Sequence, residues 1–273
     1  MHQDFPTPAL GVLHTKDGAQ RFRLTRIQPC AKLAPFVKHY WIVAWDLTDG
    51  EAYNQLVVPN PCVNLVLEPG KTACFAPGVT TSSHKLQGTG CVFGVKFHPG
   101  GFYPFIRTSI SGLRGQPIPV TEVLGLSGKE LKEAVLGRKD EQAMVEEMER
   151  LLLSRLPEPD PQVQFLREVV EHIANDRGLT KVDMLCDHLA MNKRTIQRLF
   201  DQYIGVSPKW VIRLYRIQDA AERLDNGTYG ELVGLAMDLG YHDQAHFSKD
   251  FKNVTGQTPE EYLRGPGSGS ASD

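Results

Sequence analysis

The sequence predicts an α+β chain. A β-rich, barrel- or sandwich-like N-terminal domain with trailing helices precedes an all-α C-terminal domain, in which a long helix joins two helix-turn-helix units. Three observations predict this. Short segments before residue 100 alternate apolar and polar side chains at period two. From Lys129 the apolar period becomes helical. The stretch Asn192–Tyr203 returns, as a pattern of residue types, 51 positions later. The expected divisions are residues 1–156 for the β-rich part with its helical end, 157–161 for a linker, 162–264 for the helical domain, and 265–273 for a glycine- and serine-rich disordered tail.

A chain of 273 residues, 41% hydrophobic and 23% charged, is long enough to bury two cores. It has no apolar run near the ~18 residues that span a bilayer, and Met1-His2-Gln3-Asp4-Phe5-Pro6 does not read as a signal peptide. A cytoplasmic protein without a membrane partner is therefore expected. Five irregularly spaced cysteines fit reduced thiols better than a disulfide framework. A net charge of −2 argues against general polyanion binding, so any phosphate affinity must come from locally placed cations.

Residues 1–30 show little periodicity. His39–Trp45 is aromatic and β-branched, with Trp41, Val43 and Trp45 on one face. Gln55–Val58 and Cys62–Leu67 follow, split by Pro59-Asn60-Pro61. Cys91–Phe97 alternates again, with Cys91, Phe93, Val95 and Phe97 facing inward, and His98-Pro99-Gly100-Gly101 ends it. So many aromatics allow an apolar ligand pocket lined by some of Tyr40, Trp41, Trp45, Phe93 and Phe97; the alternative is a solid core. Cys62, Cys74, Cys91, His84 and His98 lie in this half, but none falls in a CxxC, HxH or HExxH pattern, so no metal ligand is assigned. Neither a nucleophile elbow nor a phosphate-binding glycine loop is present, so the sequence names no catalytic residue and no cofactor, and the chain reads as a non-enzyme.

Glu130–Leu136 and Asp140–Leu156 read as helices; Met144, Met148, Leu151 and Leu152 form the apolar stripe of the second, which would carry any signal from the β-rich part or form a dimer seam. Pro157, Pro159 and Pro161 cannot continue a helix and make a short stiff linker. Gln162–Asn175 opens the next domain with Val163, Leu166, Val169, Val170 and Ile173 on its buried face.

The duplicated stretch carries the chemistry. Asn192 caps a helix in which Ile196, Leu199, Phe200 and Tyr203 recur at burial spacing. Arg194, Gln197 and Arg198 share another face, with no acid between them. Guanidinium and carboxamide groups displayed together can pair bidentately with guanine and adenine edges. In the second copy Asp243 matches Asn192, Phe247 matches Ile196, Lys249 matches Arg198 and Phe251 matches Phe200. Short apolar helices, Val182–Leu189 and Leu232–Leu239, precede the two copies across small-residue turns, with His242 as one extra residue in the second. Between the units, Ser207-Pro208 starts a helix that Asn226-Gly227 stops. Its length of roughly 28 Å suits major-groove faces recurring every ~34 Å, so one chain could present two recognition helices to adjacent groove segments of duplex DNA.

Leu185 through Leu263, with the run Gly240–Lys252 closing on Gly256-Gln257-Thr258-Pro259, resembles the two-unit DNA-binding domain of the AraC/XylS family of bacterial transcription regulators. The resemblance implies a sequence-specific regulator and favours an activator contacting RNA polymerase, with repression as the alternative. It implies base contacts from Arg194, Gln197, Arg198, Gln244 and Lys249, with Lys193, Thr195, His246 and Lys252 placed for phosphates. Cys186, where the family usually has alanine, and Ala245, at an often polar position, depart from the pattern. Pro59–Leu65 and Gly94–Gly101 resemble a β-rich domain often found ahead of such DNA-binding domains, whose effectors are mostly unassigned. A small-molecule effector and a homodimer are both compatible with this reading. The second reading is a metal- or ligand-binding barrel, sensor or enzyme, tethered to DNA.

Overall fold

The computed structural model describes residues 21–264 apart from Pro69, leaving aside the side chains of residues 48–51. The expected lead-in before Arg21 and the expected tail at 265–273 lie outside the described residues. Five strands, β1 (Arg23–Ile27), β2 (Val37–Val57), β3 (Asn64–Glu68), β4 (Lys71–Phe75) and β5 (Ser82–Phe97), form one antiparallel sheet in the order β1-β2-β5-β3-β4. The β-rich N-terminal part is thus as expected, and its described strands are hydrogen-bonded into a single sheet. Strands β2 and β5 are longer than expected. The segments 39–45 and 55–57, expected in separate strands, belong to one strand that pairs with β5 from Val37↔Phe97 to Val57↔Ser82, with a register shift between Leu47 and Ala52.

The register decides which face is buried. Tyr40 lies opposite Val95 and Ile42 opposite Phe93, while Leu65 lies on the far side of Val95. These side chains, with Phe97 and Leu67, are fully buried or nearly so and form the first core. Trp41, Val43 and Trp45 alternate onto the other face. There the indole of Trp41 lies across Gly94 and that of Trp45 across Gly90, each glycine leaving the room a side chain would fill. The aromatics offered as a pocket lining therefore fall on two faces of the sheet. Tyr40, Phe93 and Phe97 are packed into the core, with Phe97 against Phe102 at 5.0 Å between ring centroids, and Trp41 and Trp45 are on the opposite side of the sheet.

Helices close the first core. After short turns at α1 (Tyr103–Ile106) and α2 (Thr121–Leu124) come α3 (Gly128–Leu136) and α4 (Glu141–Leu153). A reciprocal Ser127–Glu130 capping box starts α3, and the Asp140 carboxylate accepts from Ala143 N–H to start α4. Met148, Leu151 and Leu152 are buried and Met144 packs beside them, all within this core. The stripe therefore serves the fold, and the dimer seam expected through it is corrected. Amphipathicity alone cannot say whether the covering surface belongs to the same chain.

Asp160 caps α5 (Pro161–Asn175), with Pro161 at its first position. The remaining helices are α6 (Val182–Leu189), α7 (Lys193–Leu199), α8 (Pro208–Asp225), α9 (Leu232–Asp238), α10 (Gln244–Thr255) and α11 (Pro259–Arg264). A second core gathers apolar side chains from α5 through α11 and takes in Val58 from the end of β2. The two cores meet at several points. The Tyr103 ring packs against Tyr203 at 4.2 Å, and Gln202 Nε2 donates to Tyr103 Oη at 2.6 Å. Ser109 donates to the Asp201 carbonyl, and Thr81 donates to the Val254 carbonyl at the end of α10.

Candidate nucleic-acid interface

Both expected recognition helices form, and each starts at its expected cap. The Asn192 carboxamide oxygen accepts from Thr195 N–H at 2.9 Å for α7, and an Asp243 carboxylate oxygen accepts from His246 N–H at 2.7 Å for α10. The turn entering each helix needs a left-handed residue. Gly240 adopts it at φ 75°, and Ala190 adopts it at φ 49° despite its Cβ. A looser π-type turn, Phe200–Ile204, prolongs α7 and ends at Gly205, also left-handed, where a Cβ would come within 2.6 Å of Ile110. The first recognition helix is therefore seated on the N-terminal half at its C-terminal end.

The cations segregate as a net-acidic chain requires. Arg194, Arg198 and Lys249 are exposed, and no ion pair joins them to a carboxylate among the described residues. Acids of the helical domain pair with scaffold arginines instead. Asp219 holds Arg177 at 3.0 Å and Arg223 at 3.3 Å, Glu222 holds Arg177 at 3.3 Å, and Asp250 holds Arg213 at 3.4 Å. The recognition faces thus keep uncompensated charge where phosphates would approach.

The other expected contacts are differently placed. Gln197 is partly buried and donates to Asp201 at 2.9 Å; Gln244 donates to Glu260 at 3.2 Å. Either carboxamide would have to exchange that bond to read a base edge. Exposed Lys193 lies 3.1 Å from Asp183 and Lys252 lies 3.8 Å from Glu261, surface pairs weak enough to yield to a phosphate. Thr195 is partly buried. The His246 ring sits edge-on to Tyr241 at 5.3 Å, with Nε2 3.8 Å from Asp250.

Asp250 is the residue that sequence reasoning missed. It is buried, accepts from Tyr241 Oη at 3.3 Å and from Arg213 at 3.4 Å, and sits between α10 and α8. The Arg216 guanidinium covers the other side of Tyr241, 4.0 Å from the ring centroid. Burial, and Asp250 beside it, push the Tyr241 hydroxyl well above its ordinary value, so it stays a donor. Nothing local in the sequence marks this network, because its members are 9 and 37 positions apart.

Long helix α8 spans 18 residues, capped by Ser207 Oγ accepting from Trp210 N–H, and would measure about 27 Å. Its Trp210, Leu214 and Ile217 are buried between the two units. Among the described residues no group of three or more His, Cys, Asp or Glu side chains gathers to hold a metal, and no helix is long and apolar enough to cross a membrane.

Two helix-turn-helix units joined by a core helix define a double helix-turn-helix domain. Residues 185–265 match the family model described as a helix-turn-helix domain, and residues 25–119 match a domain of unknown function, DUF6597. The proteins that match this region are named as transcription regulators, among them a putative AraC-like transcription regulator of Streptomyces lividans, 31% identical over 90 residues that cover 33% of this chain and 29% of that protein. An uncharacterized HTH-type transcriptional regulator of Haemophilus influenzae is 33% identical over 83 residues, which cover 30% of this chain and 28% of that protein. The arabinose operon regulatory protein of Escherichia coli is 26% identical over 136 residues, covering 47% of this chain and 46% of its own. Among solved structures, the C-terminal domain of AraT, a response regulator from Geobacillus stearothermophilus, is 24% identical and covers 42% of this chain and 93% of that one, with a TM-score of 0.34. The matches to the two regulators thus span less than half of their length.

Proposed function

We propose that the chain is a sequence-specific DNA-binding transcription regulator that lays α7 and α10 into two adjacent major-groove segments. The observation that carries it is the pair of capped helices with exposed Arg194, Arg198 and Lys249, held at a fixed separation by α8. Arg194 and Arg198 in the first helix and Lys249 in the second read bases, joined by Gln197 and Gln244 once their present bonds are exchanged. Lys193, Thr195 and Lys252 hold phosphates, and His246 joins them if its ring swings away from Tyr241. Residues 162–264 form the DNA-binding unit, residues 1–156 the sensing or assembly unit, and 157–161 the link.

The relatives support the finer reading. The E. coli relative is an operon regulatory protein, and others are activators of the XylDLEGF operon in Pseudomonas putida. On this reading the protein works in the cytoplasm, activates transcription through contact with RNA polymerase, and answers to a small-molecule effector, as a monomer or a homodimer. Genome-wide mapping of bound sites, followed by mobility shifts on the recovered sequences, tests it. Recurrent sites with two conserved blocks about one helical turn apart are expected; binding that shows no sequence preference above bulk DNA would sink the proposal.

A further inference from the structure

The face of the sheet opposite the first core carries a cluster of cations that DNA reading does not use. His39 on β2 lies directly opposite Lys96 on β5, and Lys96 lies opposite Asn64 on β3. One step along the same face, Arg26 on β1 lies opposite Trp41, which lies opposite Gly94. Directly paired residues project from the same side of a sheet, so His39, Lys96, Asn64, Arg26 and Trp41 share one patch about two residues deep. Lys38 joins them at the bulge between Val37 and His39. Lys96 and His39 are partly buried, whereas Arg26 and Lys38 are exposed at the rim.

No ion pair joins the cations Lys96, Arg26 and Lys38 to a carboxylate among the described residues, unlike the paired arginines of the helical domain, and neutral His39 beside them offers an N–H donor. Burial lowers the Lys96 ammonium from its ordinary value, with Lys38 and Arg26 adding to the effect and the Cys62 thiol opposing it. Cationic side chains facing one another in a partly buried site repel, and a bound anion relieves that repulsion while accepting charge-assisted hydrogen bonds. Trp41 supplies the remaining wall. Its indole lies flat on Gly94 and is itself partly exposed, which offers an apolar platform next to the cations.

We propose that this patch is a binding site for a small organic acid, its carboxylate held by Lys96, His39 and Arg26 and its flat apolar body laid on Trp41. Asn64 has less to give, because its Nδ2 already donates to the Cys62 carbonyl at 3.3 Å. Binding stands apart from the DNA-reading proposal. Any effect of the ligand on DNA affinity rests on that proposal and requires different affinities for the two states.

The test is calorimetry on the full chain without DNA, using sodium benzoate, inorganic phosphate and neutral benzamide as probes. Saturable benzoate binding with a Kd of about a millimolar or tighter, and no comparable binding of benzamide, is expected. Lys96→Met should weaken it at least about tenfold, as loss of a charge-assisted bond does, and Lys96→Arg should restore most of it. If Lys96→Met does not fold, Arg26→Gln at the exposed rim replaces it, with a severalfold weakening expected. Weaker binding of phosphate than of benzoate supports the role of Trp41. Absence of saturable benzoate binding, equal binding of benzamide, phosphate binding as tight as benzoate, or unchanged affinity in the folded variant would each overturn the proposal.

Discussion

Arg198 and Lys252 occupy the same domain but different ends of recognition geometry. Arg198 is exposed near the end of α7, where the π-type turn Phe200–Ile204 prolongs the helix, with its guanidinium uncommitted among the described residues, whereas Lys252 stands in the last turn of α10 near Glu261. Arg198→Ala should therefore relax base preference at one position and cost about 1–3 kcal/mol on the preferred site. Lys252→Ala should weaken binding to all sequences and reduce the salt slope by about one. Mobility shifts on matched and scrambled duplexes across a salt series separate the two, and equal losses on every duplex would show the assignment to be wrong. A second consequence at this scale concerns pH. Burial, with Lys96, Arg26, Lys38 and His98 around it, takes His39 down to about 3; burial, with Arg167 and Lys38, takes His98 to about 4 against an opposing hydrogen bond at Ala34. Both imidazoles are thus neutral when folded, but protonate near 6.5 when unfolded. Between those values the unfolded chain binds more protons, so stability is intact above pH 6.5 and is lost progressively as pH falls towards 4. His39→Gln should flatten that loss in melting temperatures measured from pH 7 to pH 4.5.

Helix α10 depends for its orientation on a polar contact as well as on its apolar face. Phe247 and Phe251 are fully buried, which fixes the helix in the core, but buried Asp250 sets how it meets α8 through Tyr241 and Arg213. Removing the carboxylate strands a buried phenol and leaves a guanidinium without its partner. Asp250→Ala is expected to cost about 2–3 kcal/mol in urea unfolding. DNA affinity should fall further than folding alone explains, because α10 would no longer be held at its angle. A loss under 0.5 kcal/mol would mean that apolar packing alone orients the helix. In the first unit Leu199 stands at the position matching Asp250, so the equivalent substitution there tests only packing.

The molecule as a whole is two cores in contact. Tyr103 against Tyr203, Gly205 against Ile110, and Thr81 bonded to Val254 touch the C-terminal ends of both recognition helices. Residues 161–264 carry a nearly complete second core, lacking buried Val58 and the partly buried Tyr103 packed against it from the other half. This fragment should fold and bind DNA alone, with a melting temperature several degrees below that of the intact chain because Tyr203 loses its ring partner. Circular dichroism with a thermal ramp checks it, and an unfolded fragment would mean that the N-terminal half is part of the folding unit.

By itself the sequence determined the elements whose cause is local. The caps Asn192, Asp243 and Ser207, the proline break before α5, and the apolar spacing of α7 and α10 all depend on residues within one or two turns, where side-chain chemistry and backbone geometry suffice. It also placed Arg194, Arg198 and Lys249 on exposed faces, because an uninterrupted polar stripe on an amphipathic helix has nowhere else to go. Tertiary structure decided what depends on register and on partners far along the chain. A single register sends Tyr40 inward and Trp41 outward, so the five aromatics from which a pocket lining could be drawn fall on two faces. The stripe of α4 found its cover within its own domain, Gln197 and Gln244 found acceptors in Asp201 and Glu260, and Asp250 met Arg213 across 37 positions. Periodicity tells which face of an element is apolar, but what that face meets is set only when the chain closes on itself.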